Sequence, residues 1–178
     1  MVLPPGGKHM GRAVKDEETG RLPGPTAAEH LTERHLTERE LRYLCDIYRA
    51  YGGDCYVTPS MAANIAGVSR VTAMEMLKRL ASKGYGTYTH RRGFRANTKG
   101  IALARDVLRN HRILECFMVE ILGLSPEKVC TEASRFDLNV SGDVVERLNE
   151  LLGKPEVCPC GNPIPQPRPP GQRGGDER

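Results

Sequence analysis

Two side chains able to hold a metal, His111 and Glu115, stand four residues apart in NHRILECFMVEILGL (110 to 124), a spacing that puts both on one face of a helix. An imidazole nitrogen and a carboxylate oxygen placed this way can share a divalent cation. The plain alternative is an ion pair worth about 0.2–0.5 kcal/mol. Cys158 and Cys160, separated by one proline, supply half a zinc site or a redox pair, in a proline-rich stretch that reads as an exposed tail. Cys45 and Cys116 fall in helical apolar runs, where a thiol more often packs as a small core residue than ligates. Six cysteines in an otherwise ordinary intracellular composition point to reduced thiols, some of them ligands, rather than a disulfide scaffold. There is no serine, histidine and acid constellation and no phosphate-cradling loop, so no enzyme is expected.

These residues need elements to position them. Thr98-Lys99-Gly100 opens a helical pattern through Ile101, Leu103, Ala104, Val107, Leu108, Ile113, Leu114, Phe117, Met118, Ile121 and Leu122, closed by Gly123. Such a helix has about 24 residues, spans on the order of 35 Å and carries His111 and Glu115 at its middle. Two shorter helices are predicted near Pro126 to Phe136 and Gly142 to Leu152, the second capped by Ser141 and with Val144, Val145, Leu148, Leu151 and Leu152 as its apolar face. Stripes this wide exceed what so small a unit can bury, which predicts pairing with an identical chain.

Upstream, residues 62 to 96 have the layout of a DNA reader. A helix from Pro59 to Ala66 ends at Gly67, Ser69 caps the next, and Val71, Met74, Leu77 and Leu80 form a predicted core stripe. That stripe leaves Ser69, Arg70, Thr72, Ala73 and Glu75 outward, where a helix-turn-helix meets DNA. Arg70 has the chemistry to donate to guanine and Glu75 to accept from a cytosine amine. After Gly84 the period changes, and Tyr85, Thr87, Tyr88, Thr89 and Phe94 flank a His-Arg-Arg-Gly turn. This predicts a two-stranded wing whose Arg91, Arg92 and Arg95 suit phosphates or a narrow minor groove. The pentad HLTER occurs twice, at 30 to 34 and 35 to 39. The second copy runs into a capping box, Thr37 to Glu40, that starts a helix with Leu41, Leu44, Tyr48 and Tyr51 on one face.

Charge divides along the same line. Residues 37 to 110 hold 13 Lys/Arg against 6 Asp/Glu, whereas 111 to 155 hold 5 against 8. The cationic part is the one with the reader's layout, and its attraction to phosphates should weaken with salt. No apolar run reaches membrane-spanning length and Met1 to Leu36 lacks the apolar core of a signal peptide, so a cytoplasmic protein is expected. The expected organisation is a mobile extension over 1 to 36, a winged helix-turn-helix domain over 37 to 105, a helical dimerisation and metal-binding domain over 106 to 155, and a proline-rich extended tail over 156 to 178.

Taken in order, IYRAYGG (47 to 53), the helix-turn-helix, GYGTYTHRRGFRANTKG (84 to 100), NHRILECFMVEILGL, EASRFDLNVSGDVVERLNELLG (132 to 153) and CPCGNPIP (158 to 165) resemble the diphtheria-toxin-repressor family of iron- and manganese-dependent regulators. The resemblance covers residues 37 to 165. It implies a mainly α fold, a winged-helix DNA-binding domain followed by an all-α dimerisation domain, in the two-domain form without the family's SH3-like domain. It also implies a divalent transition metal, iron, manganese or zinc. By resemblance the ancillary metal site falls on His111, Glu115 and Cys130, the last usually histidine, and a thiolate there favours zinc or iron over manganese. The primary site falls on Arg42, Ser134, Asp137 and Leu138, where the family carries Met or Asp, Cys or Glu, Glu, and His. Leu138 has no donor and Arg42 is itself a cation, so Asp137 is the one remaining ligand type, with Cys45 about a turn beyond Arg42.

The leading expectation is a metal-responsive regulator, a repressor, that binds a palindromic DNA operator as a homodimer. The altered ligands leave open a metal-independent or thiol-sensing regulator. From a different class, a thiol-based metal carrier or redox protein would use Cys158 and Cys160.

Overall fold

The computed structural model describes residues 36–167; the expectations for residues 1 to 35, including the first HLTER copy, and for 168 to 178 lie outside the described residues. The element order is α1 (Glu38–Tyr51), α2 (Pro59–Ala66), α3 (Arg70–Ser82), β1 (Gly86–Thr89), β2 (Gly93–Ala96), α4 (Thr98–Glu120), α5 (Pro126–Ala133) and α6 (Gly142–Leu151). It is a winged helix-turn-helix followed by an all-helical part.

Local chemistry fixes most boundaries. At α1 the capping box forms in both directions: Glu40 N–H donates to Thr37 Oγ1 at 3.2 Å and Thr37 N–H donates to Glu40 Oε2 at 2.8 Å. The same carboxylate accepts from Lys83 Nζ at 2.6 Å, tying the start of α1 to the end of α3. Thr58 and Pro59 start α2, and Gly67, at φ +63°, ends it in the left-handed conformation the turn requires. Ser69 then caps α3 by accepting from Thr72 N–H.

The α3 stripe differs from the one its apolar residues predicted. Ala73, Met76, Leu77 and Leu80 are buried and Val71 is 61% exposed. Helical period decides this, since 73, 76, 77 and 80 follow the i, i+3, i+4, i+7 pattern, whereas strict three-residue spacing from Val71 drifts off the face.

The wing pairs β1 with β2 antiparallel, Tyr88 opposite Phe94 and Thr89 opposite Gly93. Val57 adds one residue of pairing, donating to Phe94 O at 2.7 Å and accepting from Phe94 N–H at 3.0 Å, so the wing is anchored to the body. Gly93 is buried at φ +97°, and a Cβ there would strike the Val57 carbonyl. Gly93→Ala should therefore destabilise the domain by about 1–3 kcal/mol from backbone strain alone. The loss is read as a lower thermal unfolding midpoint with weakened exchange protection at Phe94.

α4 runs through two interiors. Leu103, Ala104 and Val107 join the core of the reader with Leu41, Leu44, Leu77, Leu80, Tyr85 and Phe94. Further along, Ile113 and Cys116 pack with Val145, Cys158 and Ile164, and Leu114 and Met118 with Val129 and Ala133. Over its described part, 156 to 167, the last segment is not an extended exposed tail. Cys158 N–H donates to Asn162 O, Gly161 N–H to Cys158 O and Ile164 N–H to Glu156 O, making a compact turn whose Cys158 and Ile164 are buried against α4. Arg109 and Arg112 of α4 donate to the carbonyls of Pro165 and Pro163 and hold it there. Burial of two apolar side chains, unseen in the proline content, brings the segment back. On α6 only Val145 of the predicted face is fully buried, while Val144 and Leu151 are 48% and 65% exposed. Among the described residues no helix is long and apolar enough to cross a membrane.

Candidate metal centre and nucleic-acid interface

The spacing of four between His111 and Glu115 places both on the buried face of α4, each 2% exposed. Nε2 of His111 lies 3.1 Å from Glu115 Oε1 and 3.5 Å from Cys130 Sγ on α5. From the other side the folded-back segment presents Cys158 and Cys160, with Cys160 Sγ 3.6 Å from Glu115 Oε1. Two donor groups result, His111, Glu115 and Cys130, and Glu115, Cys158 and Cys160, and within each the ligand atoms all lie within 4.8 Å of one another. Glu115 belongs to both. The sequence motif alone gave no route to the second group, because its thiols reach Glu115 only through the turn at 158 to 161.

The electrostatics suit a cation. Burial opposes charge on His111, but Asp137 and Glu115 outweigh it and hold the imidazole pKa up at about 9. Burial opposes the charge on Glu115 as well, and the His111 contact overrides it, leaving the carboxyl below its ordinary value. Burial and then Glu115 push the Cys158 and Cys160 thiols up, Cys160 to about 11. Without a metal, then, a buried imidazolium stands where a cation is wanted and the two thiols keep their protons. A divalent metal fits this donor set: nitrogen, oxygen and sulfur atoms converge, and their protons would leave on ligation.

Two other candidates sit differently. Asp137, 2% exposed, is engaged by His111 Nδ1 at 2.9 Å and by Arg42, so it orients the imidazole instead of facing the donor cluster. Cys45 is 6% exposed within the reader's core, where burial drives its thiol far above the ordinary range, and it belongs to neither donor group. The positions of a primary site do not fit a metal. Leu138 is fully buried in the reader's core, Arg42 points its guanidinium at Asp137, and Ser134 Oγ donates to Cys130 O.

At the reader, Ser69, Arg70, Val71 and Glu75 are exposed at the amino end of α3. Ala73 is not among them. It is fully buried against the core and cannot touch DNA, and Val71, assigned to the core from the sequence, takes its place with a methyl-bearing surface suited to thymine. The Ser69 and Thr72 hydroxyls lie 2.9 Å apart, and Ser69 Oγ also accepts from Thr72 N–H. On the wing, Arg91 occupies the tip at φ +62°. Arg92 and Arg95 lie 4.7 and 6.0 Å from the Tyr56 ring centre, and Lys78 of α3 lies 5.7 Å from that of Tyr88. These cation–π contacts hold the wing's charge in place beside α3, and nothing in the sequence pattern pointed to Tyr56.

Residues 35–94 match the iron-dependent repressor N-terminal DNA binding domain and residues 97–166 match the iron-dependent repressor metal binding and dimerisation domain. The chain belongs to the iron-dependent repressor family. Within the family it is 37% identical over 111 residues to the iron-dependent repressor IdeR of Mycobacterium tuberculosis, covering 61% of this chain and 48% of that protein. It is 33% identical over 94 residues to the diphtheria toxin repressor of Corynebacterium diphtheriae, covering 53% and 42%. The chain thus spans about half the length of the curated family members it matches. Among solved structures, a manganese-dependent transcriptional repressor in complex with manganese aligns at a TM-score of 0.63 with 32% identity, over 74% of this chain and 63% of that one. ScaR with bound Zn²⁺ aligns at 0.60 with 32% identity, over 71% and 59%.

Proposed function

We propose that this chain is a metal-responsive transcriptional repressor that binds operator DNA as a homodimer through its winged helices. The observation that carries the reading is a single helix, α4, which packs its first half into a reader with an exposed recognition end and a cationic wing, and carries on its second half the buried His111 and Glu115 of an N/O/S donor cluster. The reader corresponds to residues 37 to 105 and the metal-binding and dimerisation unit to 106 to 155, extended by the turn at 156 to 165.

On this reading Ser69 and Thr72 bind phosphate or base edges, Arg70 and Glu75 select bases, and Arg91, Arg92 and Arg95 hold the backbone beside them. His111, Glu115 and Cys130 hold the metal, joined by Cys158 and Cys160. Held by these residues, a bound ion would supply fixed positive charge, and its ligands would tie α4, α5 and the C-terminal turn together. The thiol-rich set favours zinc or iron over manganese. The exposed apolar residues Ile121, Leu122, Val144 and Leu151 are the surface a second copy would cover. Two readers related by a two-fold axis require a palindromic site with half-sites about 34 Å apart or a multiple of that. Metal need only favour the dimer geometry that meets this spacing.

The test is competition binding to genomic DNA at fixed salt, with chelator and then with zinc, iron(II) or manganese. Expected is sequence-selective binding that tightens with one of these metals. Arg91→Ala with Arg92→Ala should weaken binding across all sequences and reduce the salt slope by about 2–4 for the dimer, about 1–2 per subunit. A thiol-based metal carrier is separated by the wing variants, which it predicts to be silent, whereas Cys158→Ser with Cys160→Ser weakens metal binding on either reading.

A further inference from the structure

The donor cluster just described leaves one junction unexplained. The short stretch after α5, Ser134 to Leu138, meets α1 of the reader through side chains of both. Arg42, in the second turn of α1, places Nη2 3.1 Å from Asp137 Oδ1 and donates from Nη1 to Asp137 Oδ2 at 3.5 Å. Its Nη2 also donates to the carbonyl of Ser134, and its Nε lies 3.4 Å from Glu38 one turn back. The Asp137 side chain is 3% exposed and that of Arg42 33%, so the carboxylate is buried and the guanidinium caps it from the solvent side. The next residue, Leu138, is 0% exposed and packs in the same core as Leu41, Leu44, Leu103 and Val107.

We infer that the Arg42 guanidinium is the resident cation of this junction, and that with the Leu138 side chain it fixes the reader against the helical unit with no metal ion. The chemistry is consistent throughout. A buried carboxylate needs a positive partner, and a backbone carbonyl beside it adds a second acceptor. A planar guanidinium answers both with divergent N–H donors. Leucine at 138 removes a would-be ligand and replaces it with apolar burial, so no set of donors remains for an ion to compete for. Unlike a bound metal, a cation covalently part of α1 cannot be removed by chelation. Arg42 is therefore a positioning residue. It also holds Asp137 against His111 Nδ1, which makes the junction and the donor cluster share one carboxylate. Among the described residues, the donors left for metal control are those around Glu115.

This inference deepens the proposed function by saying where its metal does not act, but the measurement reads the junction itself. Failure here leaves the DNA-binding reading standing, and failure of DNA binding leaves this one. The experiment is amide hydrogen exchange of the full-length protein in excess chelator, repeated after zinc or manganese is added. Residues 134 to 140 of the wild type should already be protected in chelator. Arg42→Met should speed exchange there on the order of ten- to a hundredfold, the loss of a charge-assisted contact, while 59 to 82 keep wild-type protection. Arg42→Lys, retaining charge but not the fork, should recover part of it. An Arg42→Met protein that exchanges like the wild type overturns the inference. So does a wild type whose 134 to 140 segment stays unprotected until a divalent metal arrives.

Discussion

Replacing Glu115 with glutamine is expected to lower affinity for zinc by about a hundredfold or more, larger than the loss usual for a residue that only orients a ligand. The expectation follows from its place in both donor groups: no other described side chain touches the His111 and Cys130 side and the Cys158 and Cys160 side together. Glutamine keeps the shape and can still accept a hydrogen bond, so the fold should survive. What is lost is the negative charge that stabilises a cation in a site where the Cys158 and Cys160 thiols begin protonated. Glu120→Gln is the matched control, the same change at an exposed carboxylate of α4 that belongs to neither group. Competition against a chromophoric chelator gives the affinity, and the thiolate-to-metal absorption of a cobalt(II) substituted protein shows whether sulfur remains bound. Wild-type affinity in Glu115→Gln would remove the cluster from consideration as a metal centre.

The wing, the caps and the helix order were legible because each is written locally. A capping box needs four residues, a basic turn between alternating strands needs about ten, and both are satisfied by their own neighbours. His111 and Glu115 were legible for the same reason. What escaped depends on contacts between distant segments. Cys158 and Cys160 become partners of Glu115 only when Ile164 buries itself beside Ile113, and a proline-rich composition gives no hint of that burial. Ala73 and Val71 were exchanged because strict three-residue spacing follows the apolar residues, whereas the helical period carries the buried face through Ala73, Met76, Leu77 and Leu80. Arg42 and Leu138 look like defects when read as metal positions. Their contacts with Asp137 and with the reader's core give them a different structural role.

The metal-free protein should lose stability as pH rises from about 6.5 to 9, opposite to a fold limited by acid. Burial alone would lower the pKa of His111, but Asp137 and Glu115 raise it to about 9, above its ordinary 6.5. A group raised on folding stabilises the native state fully below its unfolded value, and that contribution fades as pH climbs through the folded one. Over this interval the loss is on the order of 3 kcal/mol. Glu115, held below its ordinary value, acts in the other direction, so its contribution is present at neutral pH and disappears as the solution becomes acidic. Thiols raised by burial, Cys116 and Cys160 both to about 11, begin to matter only above about pH 9, where unfolded thiols ionise first. Urea denaturation in chelator at pH 6.5, 8 and 9 checks the slope, and His111→Gln should flatten it. Zinc should invert the trend, because ligation needs the His111 Nε2 and cysteine protons gone and grows stronger as they leave. A chelated wild type that gains stability over the same interval would mean that His111 is neutral in the native state, and that the imidazolium does not hold the cluster together before metal arrives.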